Sequence, residues 1–243
     1  MKLPRFFCSD LSSSAACLDP FEFHHLAHVL RLKPGQSVEL FDGAGGLARA
    51  VIRTVRKDGV ELMIEDCRRF SPPSQKIVLA VSMPKAHRFD FLVEKCTELG
   101  VDHILAVLFD RTVKLAKESS LARYEKIAIS ASKQCGRLFL PRMNGPWPLE
   151  KAMEHLRIEY PQAAWIYGDF GPDACVLKGG MQTELGLSGR DVICLVGPEG
   201  GFTEGEKEIL KQNGAVPVQI HSNVLRIETA AAAFAALLSF LRS

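Results

Sequence analysis

From residue 77 onward the apolar positions follow two alternating rhythms. Runs of consecutive apolar residues, IVLAVSM (77–83), HILAVLF (103–109), AAWIYG (163–168), DVICLVG (191–197) and VPVQI (216–220), predict strands covered on both faces. Between them, RFDFLVEKCTELG (88–100) sets Phe89, Leu92, Val93, Cys96 and Leu99 at helical spacing, with Gly100 suited to cap the end. Further helices are predicted over 121–134 and 149–156. Strands alternating with helices predict an α/β fold with a mostly parallel sheet. The stretch HSNVLRIETAAAAFAALLSFL (221–241) leads from an irregular loop into a helix that is apolar or alanine almost all round, which predicts a buried helix.

Before residue 70 the pattern changes. SVELF (37–41), LARAVIRTV (47–55) and VELMIEDC (60–67) are short apolar segments broken by DGAGG and by Lys57-Asp58-Gly59, the texture of β-hairpins in a small barrel. PFEFHHLAHVLR (20–31) predicts one helix with Leu26, Val29 and Leu30 on a common face. FSPPSQK (70–76) reads as a linker, so the chain divides into 1–72 and 73–243.

Hydrophobic residues make up 47% and charged residues 24% of the 243, ordinary globular composition. No apolar run reaches the roughly 20 residues that span a bilayer, and the amino-terminal stretch, broken by Pro4 and Arg5, lacks the apolar core of a secretory signal. The chain therefore reads as cytoplasmic, with no membrane partner. Its seven cysteines are scattered and never form a C-x-x-C pair, which argues against a disulfide framework or a metal site and for small buried hydrophobes. Charge is uneven: 10 basic residues face 9 acidic ones in 1–74, 12 face 8 in 75–150, and 8 face 11 in 151–243. A basic middle is what phosphate backbones attract, although a solvated helix face looks the same.

Two glycine motifs compete for a nucleotide-like ligand. Gly43-x-Gly45-x-x-Ala48 after a strand, with Glu65 about 20 residues on, imitates a dinucleotide fingerprint and would imply an oxidoreductase, but it needs a helix immediately after the glycines. A hairpin accounts for the same residues. The second motif, LVGPEGGFTEGEKEIL (195–210), runs from an apolar strand through bare glycines into a capping box of Thr203 and Glu206. A helix amino terminus suggests phosphate, yet Glu199 would repel one and no Gly-Lys-Ser/Thr follows. A ligand with a positive centre resting on backbone amides fits better, and S-adenosylmethionine has those properties.

LVGPEGGFTEGE, followed some two dozen residues later by VLRIETA (224–230), resembles the bacterial 16S ribosomal RNA uridine-N3 methyltransferase E family of the SPOUT superfamily. KCTELGV (95–101), KQCGR (133–137), HVLR (28–31) and FDG (41–43) match the same family's patterns, so the resemblance covers the whole chain. Ile227 departs from it, standing where a threonine or similar polar residue is expected. The resemblance implies an RNA-binding PUA-like β-barrel over 1–72 and a SPOUT-type trefoil-knot domain over 73–243. It further implies S-adenosylmethionine as cofactor, 16S rRNA of the small ribosomal subunit as partner, a homodimer and no metal.

On that resemblance Val196, Gly197, Glu199, Gly200, Gly201, Ile220, Leu225, Arg226 and Thr229 form the cofactor site. Arg226 is the expected stabiliser of charge on the uracil, with Glu199 or Glu228 taking the imide proton; a structural Arg226–Glu228 ion pair is the bland alternative. Arg5, Arg31, Lys85, Arg88, Lys95, Arg111, Lys133 and Arg137 are the expected RNA contacts. A non-catalytic ribosome-associated RNA-binding protein and the oxidoreductase both remain open on sequence alone.

Overall fold

The computed structural model describes residues 3–57, 59–84, 86–112, 121–176 and 186–242. They form two compact units: residues up to Pro73 together with Ser132–Leu140, and Ser74–Ala131 together with Pro141–Ser243.

The first unit is built on β1 (Arg5–Phe7), β2 (Ala15–Cys17), α1 (Pro20–His24), β3 (Ser37–Phe41), β4 (Gly46–Val55) and β5 (Val60–Arg69). Its sheet has the order β1-β3-β4-β5-β2. β4 alternates buried and open positions along most of its length, so Ala48, Ala50 and Ile52 join Phe6, Leu26, Val38, Leu40 and Leu62 in one core. The predicted helix over 20–31 is shorter than its pattern suggests. Asp19 caps α1, but His25–Val29 is a π-helical turn closed by Leu30 N–H donating to the His25 carbonyl at 2.9 Å. The extra residue in that turn keeps Leu26 buried and rotates Val29 and Leu30 into solvent.

The Gly43–Gly45 motif is a hairpin. β3 and β4 pair antiparallel with Leu40 opposite Ala48, and Asp42 Oδ1 accepts from the Ala44 and Gly46 amides at 2.7 and 2.8 Å. The glycines are followed by a strand, which removes the helix a dinucleotide site requires.

After the first unit's strands come β6 (Ile77–Ser82), α2 (Ala86–Glu98), β7 (His103–Leu108), α3 (Leu121–Cys135, its last four residues counted in the first unit), β8 (Arg142–Pro148), α4 (Leu149–Glu159), β9 (Ala164–Gly168), β10 (Cys175–Val176), β11 (Val192–Val196), α5 (Glu204–Gln212), β12 (Val216–Gln219) and α6 (Ile227–Arg242). The sheet order is β10-β12-β9-β11-β6-β7-β8, and every described pairing in it is parallel. β6 and β11 are buried at every position, as their unbroken apolar runs require. β8 was not predicted; its sequence RMNGPWP carries a glycine and two prolines, which a strand tolerates at the sheet edge.

α6 packs on α2, β6 and β11. It buries Glu228, Ala231, Phe234, Ala235 and Leu238 but leaves Phe240 76% exposed. The expectation of an all-round buried helix is therefore corrected: one stripe faces the sheet, and the other apolar positions stay open in the single chain. All seven cysteines are free; Cys8, Cys96 and Cys194 are buried as expected, whereas Cys17, Cys67 and Cys135 are exposed. Among the described residues there is no metal-binding group of three or more ligands. None of the described helices is long and apolar enough to cross a membrane.

Candidate functional site

The carboxyl ends of β9, β11 and β12 converge on a cavity of about 320 Å³, the place where open parallel sheets present ligands. β9 supplies Gly168, Asp169 and Phe170; the loop after β11 supplies Gly197 to Phe202; the segment after β12 supplies Ile220, His221, Val224 and Leu225. Ile227, Ala230 and Phe234 of α6 complete the wall.

The glycine loop is held from several directions. Gly201 N–H donates to the Pro198 carbonyl at 2.8 Å, closing a tight turn in which Gly201 adopts φ +71°, a conformation a side chain resists. Phe202 anchors the end of the loop, with its ring edge-on to Phe109 and Tyr167 at 5.2 and 5.5 Å. A Cβ on Gly197 would sit 2.9 Å from that ring, so any side chain there would have to displace Phe202. The capping box forms as predicted: Glu206 N–H donates to Thr203 Oγ1 at 3.3 Å and Thr203 N–H to Glu206 Oε2 at 2.7 Å. Glu206, itself buried, also accepts from the Asp110 amide at 2.8 Å, which ties α5 to the chain leaving β7.

Charge at the site is organised by Arg88 in the first turn of α2. Its Nη1 lies 2.7 Å from Glu199 Oε1 and its Nε 3.7 Å from Glu228 Oε1. Glu228 is buried in the first turn of α6, where an acid is favoured by the helix dipole, and its Oε2 has no hydrogen-bond partner among the described residues. Asp169 is paired with Lys207 at 3.2 Å. Arg111 Nη1 donates to the Gly200 carbonyl at 2.6 Å.

Val196, Gly197, Glu199, Gly200, Gly201, Ile220 and Leu225 all line the cavity. Arg226 and Thr229 do not; both are exposed beside it, and the Arg226 carbonyl accepts from the Ala230 amide at 2.8 Å to start α6. Arg226 makes no ion pair with Glu228 among the described residues; Arg88 takes that position.

The basic residues divide by environment. Arg5 pairs with Glu39 at 2.9 Å, Lys95 with Glu94 and Glu98 at 2.7 and 3.0 Å, and Lys133 with the buried Glu22 at 2.8 Å. Arg31 is exposed with φ +52°, Arg137 is half-buried, and Lys85 lies outside the described residues. Sequence reasoning missed Asp169, Phe170, Val218 and Phe234 on the cavity wall. For the first two a signal existed: they follow the apolar run 163–168, and residues just past a parallel strand face the ligand side.

A model of an RNA methyltransferase domain matches residues 71–239, and a model of an RNA methyltransferase PUA domain matches residues 18–65. Ribosomal RNA small subunit methyltransferase E of Mycobacterium bovis is 29% identical over 229 residues, covering 91% of this chain and 84% of that protein. The Bacillus subtilis protein of the same name is 26% identical over 215 residues, covering 86% of this chain and 82% of its own. Among solved structures, a Ribosomal RNA small subunit methyltransferase E from Neisseria gonorrhoeae bound to S-adenosyl methionine superposes with a TM-score of 0.86 at 29% identity, covering 98% of each chain.

Proposed function

The chain belongs to the RNA methyltransferase domain family, and from that premise we propose that it methylates N3 of a uridine in 16S ribosomal RNA of the small subunit, using S-adenosylmethionine. The observation that carries this reading is the 320 Å³ cavity bounded by the glycine loop, with Glu199 on its wall. Its size suits a cofactor, for which pockets run from about 300 to 1,000 Å³. Phe234, Ile220 and Leu225 offer an apolar wall to an adenine, the loop backbone at 197–201 admits close approach, and the carboxylate of Glu199 suits a cationic ligand and opposes a phosphate. When bound, the cofactor supplies an electrophilic methyl group.

The chain's own residues then have three tasks. Glu199, on the cavity wall and 57% exposed at its side chain, takes the imide proton of the uridine directly or through a water, while Glu228 holds Arg88. Arg226, exposed beside Leu225, stabilises the negative charge left on the uracil oxygens, a role in which one preorganised donor is worth about 3 kcal/mol. Phosphate contact falls first to Arg31, exposed on the first unit; Arg5, Lys95 and Lys133 are engaged with carboxylates.

The same reading carries a trefoil knot in the second unit, a homodimer and a cytoplasmic location. The open apolar positions of α6, Phe240 above all, support a subunit interface.

The test incubates the purified protein with S-adenosylmethionine and small subunits from cells lacking it, then maps the rRNA by primer extension. A methyl on N3 blocks pairing, so a new stop at a single uridine is expected. Methyl incorporation without a stop overturns the N3 assignment, and no incorporation into 16S rRNA overturns the function.

A further inference from the structure

Methyl transfer leaves the S–CH3 bonding pair on sulfur, so a sulfonium cofactor becomes a neutral thioether and the ligand's formal charge falls by one. Shape at that atom changes little. A pocket can therefore tell cofactor from spent product chiefly through the charges on its walls. Resting on the cofactor assigned above, we propose that Arg88 sets this discrimination: it is the shared counter-ion of Glu199 and Glu228, and it fixes how much of their negative charge reaches the sulfonium.

The geometry supports this in three ways. Arg88 meets Glu199 at 2.7 Å and Glu228 at 3.7 Å, so one guanidinium serves two carboxylates and the trio has a formal charge of −1. Glu199 is on the cavity wall, which places the trio at the pocket. Glu228 is buried with an oxygen that no described residue hydrogen-bonds, so its charge is countered by Arg88 and the amino-terminal end of α6 with little help from solvent. The other wall acid, Asp169, has its own partner in Lys207 at 3.2 Å. Arg111, on the Gly200 carbonyl, and Arg226, exposed beside the cavity, add positive charge that is constant across the variants below.

Arg88 is thus a positioning residue with an electrostatic readout. A trio left with no cation should favour the sulfonium more, and one left with a single carboxylate should favour it less. A unit charge at the wall of a partly screened pocket shifts such a preference by about threefold to tenfold.

The experiment is calorimetric titration of the full-length protein with S-adenosylmethionine and, separately, with S-adenosylhomocysteine, at low and at moderate salt. The quantity read is the product Kd divided by the cofactor Kd. Arg88→Met should raise that ratio about threefold to tenfold, Glu199→Gln and Glu228→Gln should lower it by a similar factor, and Arg88→Lys should stay within about twofold of wild type. Moderate salt should compress all of these differences. A merely structural Arg88 would weaken both ligands alike and leave the ratio in place. If Arg88→Met does not fold, the two Glu→Gln variants decide. Ratios equal to wild type in every folded variant overturn the proposal, whereas a wild-type protein that binds neither ligand overturns the cofactor assignment itself.

Discussion

The imidazole Nε2 of His103 lies 2.9 Å from Asn144 Oδ1, and its Nδ1 faces Tyr160 Oη at 3.1 Å and the Arg142 guanidinium at 3.2 Å. Arginine can only donate, so Nδ1 accepts and Nε2–H donates to Asn144; the ring is neutral. Burial, and then the Arg142 charge, push its pKa down to about 4. A depressed folded pKa means that protonation favours the unfolded chain, so the stability is fully present above pH 6.5 and drains away as pH falls towards 4. Between pH 7.5 and 5 the loss from this one group is about 2 kcal/mol. Urea unfolding at both pH values measures it, with His103→Gln as the control. A variant whose stability falls as steeply as wild type would acquit His103.

Glu22 and Lys133 form a buried ion pair. The ammonium lies 2.8 Å from both carboxylate oxygens and 3.2 Å from His25 Nδ1, over the Phe6 ring at 5.3 Å, and Glu22 also accepts from the Phe7 amide at 3.2 Å. Lys133→Met leaves Glu22, only 1% exposed, without a counter-charge, and should cost about 3–5 kcal/mol in urea unfolding. Adding Glu22→Gln should restore most of that. A single substitution costing under about 1 kcal/mol would show that Lys133 is free for RNA after all.

Gly201→Val tests the glycine loop. A Cβ at this position meets nothing within 4 Å in the protein itself, so the structural cost is confined to placing a branched residue at φ +71°, about 1–3 kcal/mol. The new side chain enters the space assigned to the cofactor, and calorimetric affinity for S-adenosylmethionine should fall at least about tenfold in a folded protein. Unchanged affinity would take this loop out of the site.

Arg226→Ala separates catalysis from structure. The side chain is exposed and makes no ion pair among the described residues, so stability in urea unfolding should change by no more than about 0.5 kcal/mol. Single-turnover methylation at saturating cofactor should slow about a hundredfold or more, the loss typical of one preorganised donor. Turnover at the wild-type rate would reassign the charge on the uracil to another group.

The readability of the chain follows the range of the interactions concerned. β6, β7, β9 and β11 were legible because each is an apolar run buried on both faces, and the Thr203–Glu206 box because its partners are three residues apart. The two-residue β10 and the proline-bearing edge strand β8 leave too little pattern to read. Charge pairing was hidden for a different reason. The ion pairs of Lys133 and Arg88 could not be read because their carboxylate partners, Glu22 and Glu199, are each 111 positions away. Nothing local says whether a basic side chain meets a phosphate or a buried acid. The π-helical turn at His25–Val29 was missed because a helical pattern does not announce one extra residue in a turn.

The first unit is discontinuous in the chain, and protein synthesis is directional. Leu138 and Leu140 provide the backbone partners of the Gly43–Gly45 turn, Gly45 N–H donating to Leu138 at 3.1 Å and Leu140 N–H to Gly43 at 2.9 Å, while Lys133 neutralises Glu22. Until Leu140 leaves the ribosome, the five-stranded sheet can assemble only with a buried carboxylate uncompensated and with the Gly45 amide and the Gly43 carbonyl of the turn unpaired. The amino-terminal unit, first to be translated, is thus held back by residues made after β6 and β7. A nascent chain arrested shortly after residue 73 should stay open to protease at the Glu22 helix, and one arrested with residue 140 outside the tunnel should close it.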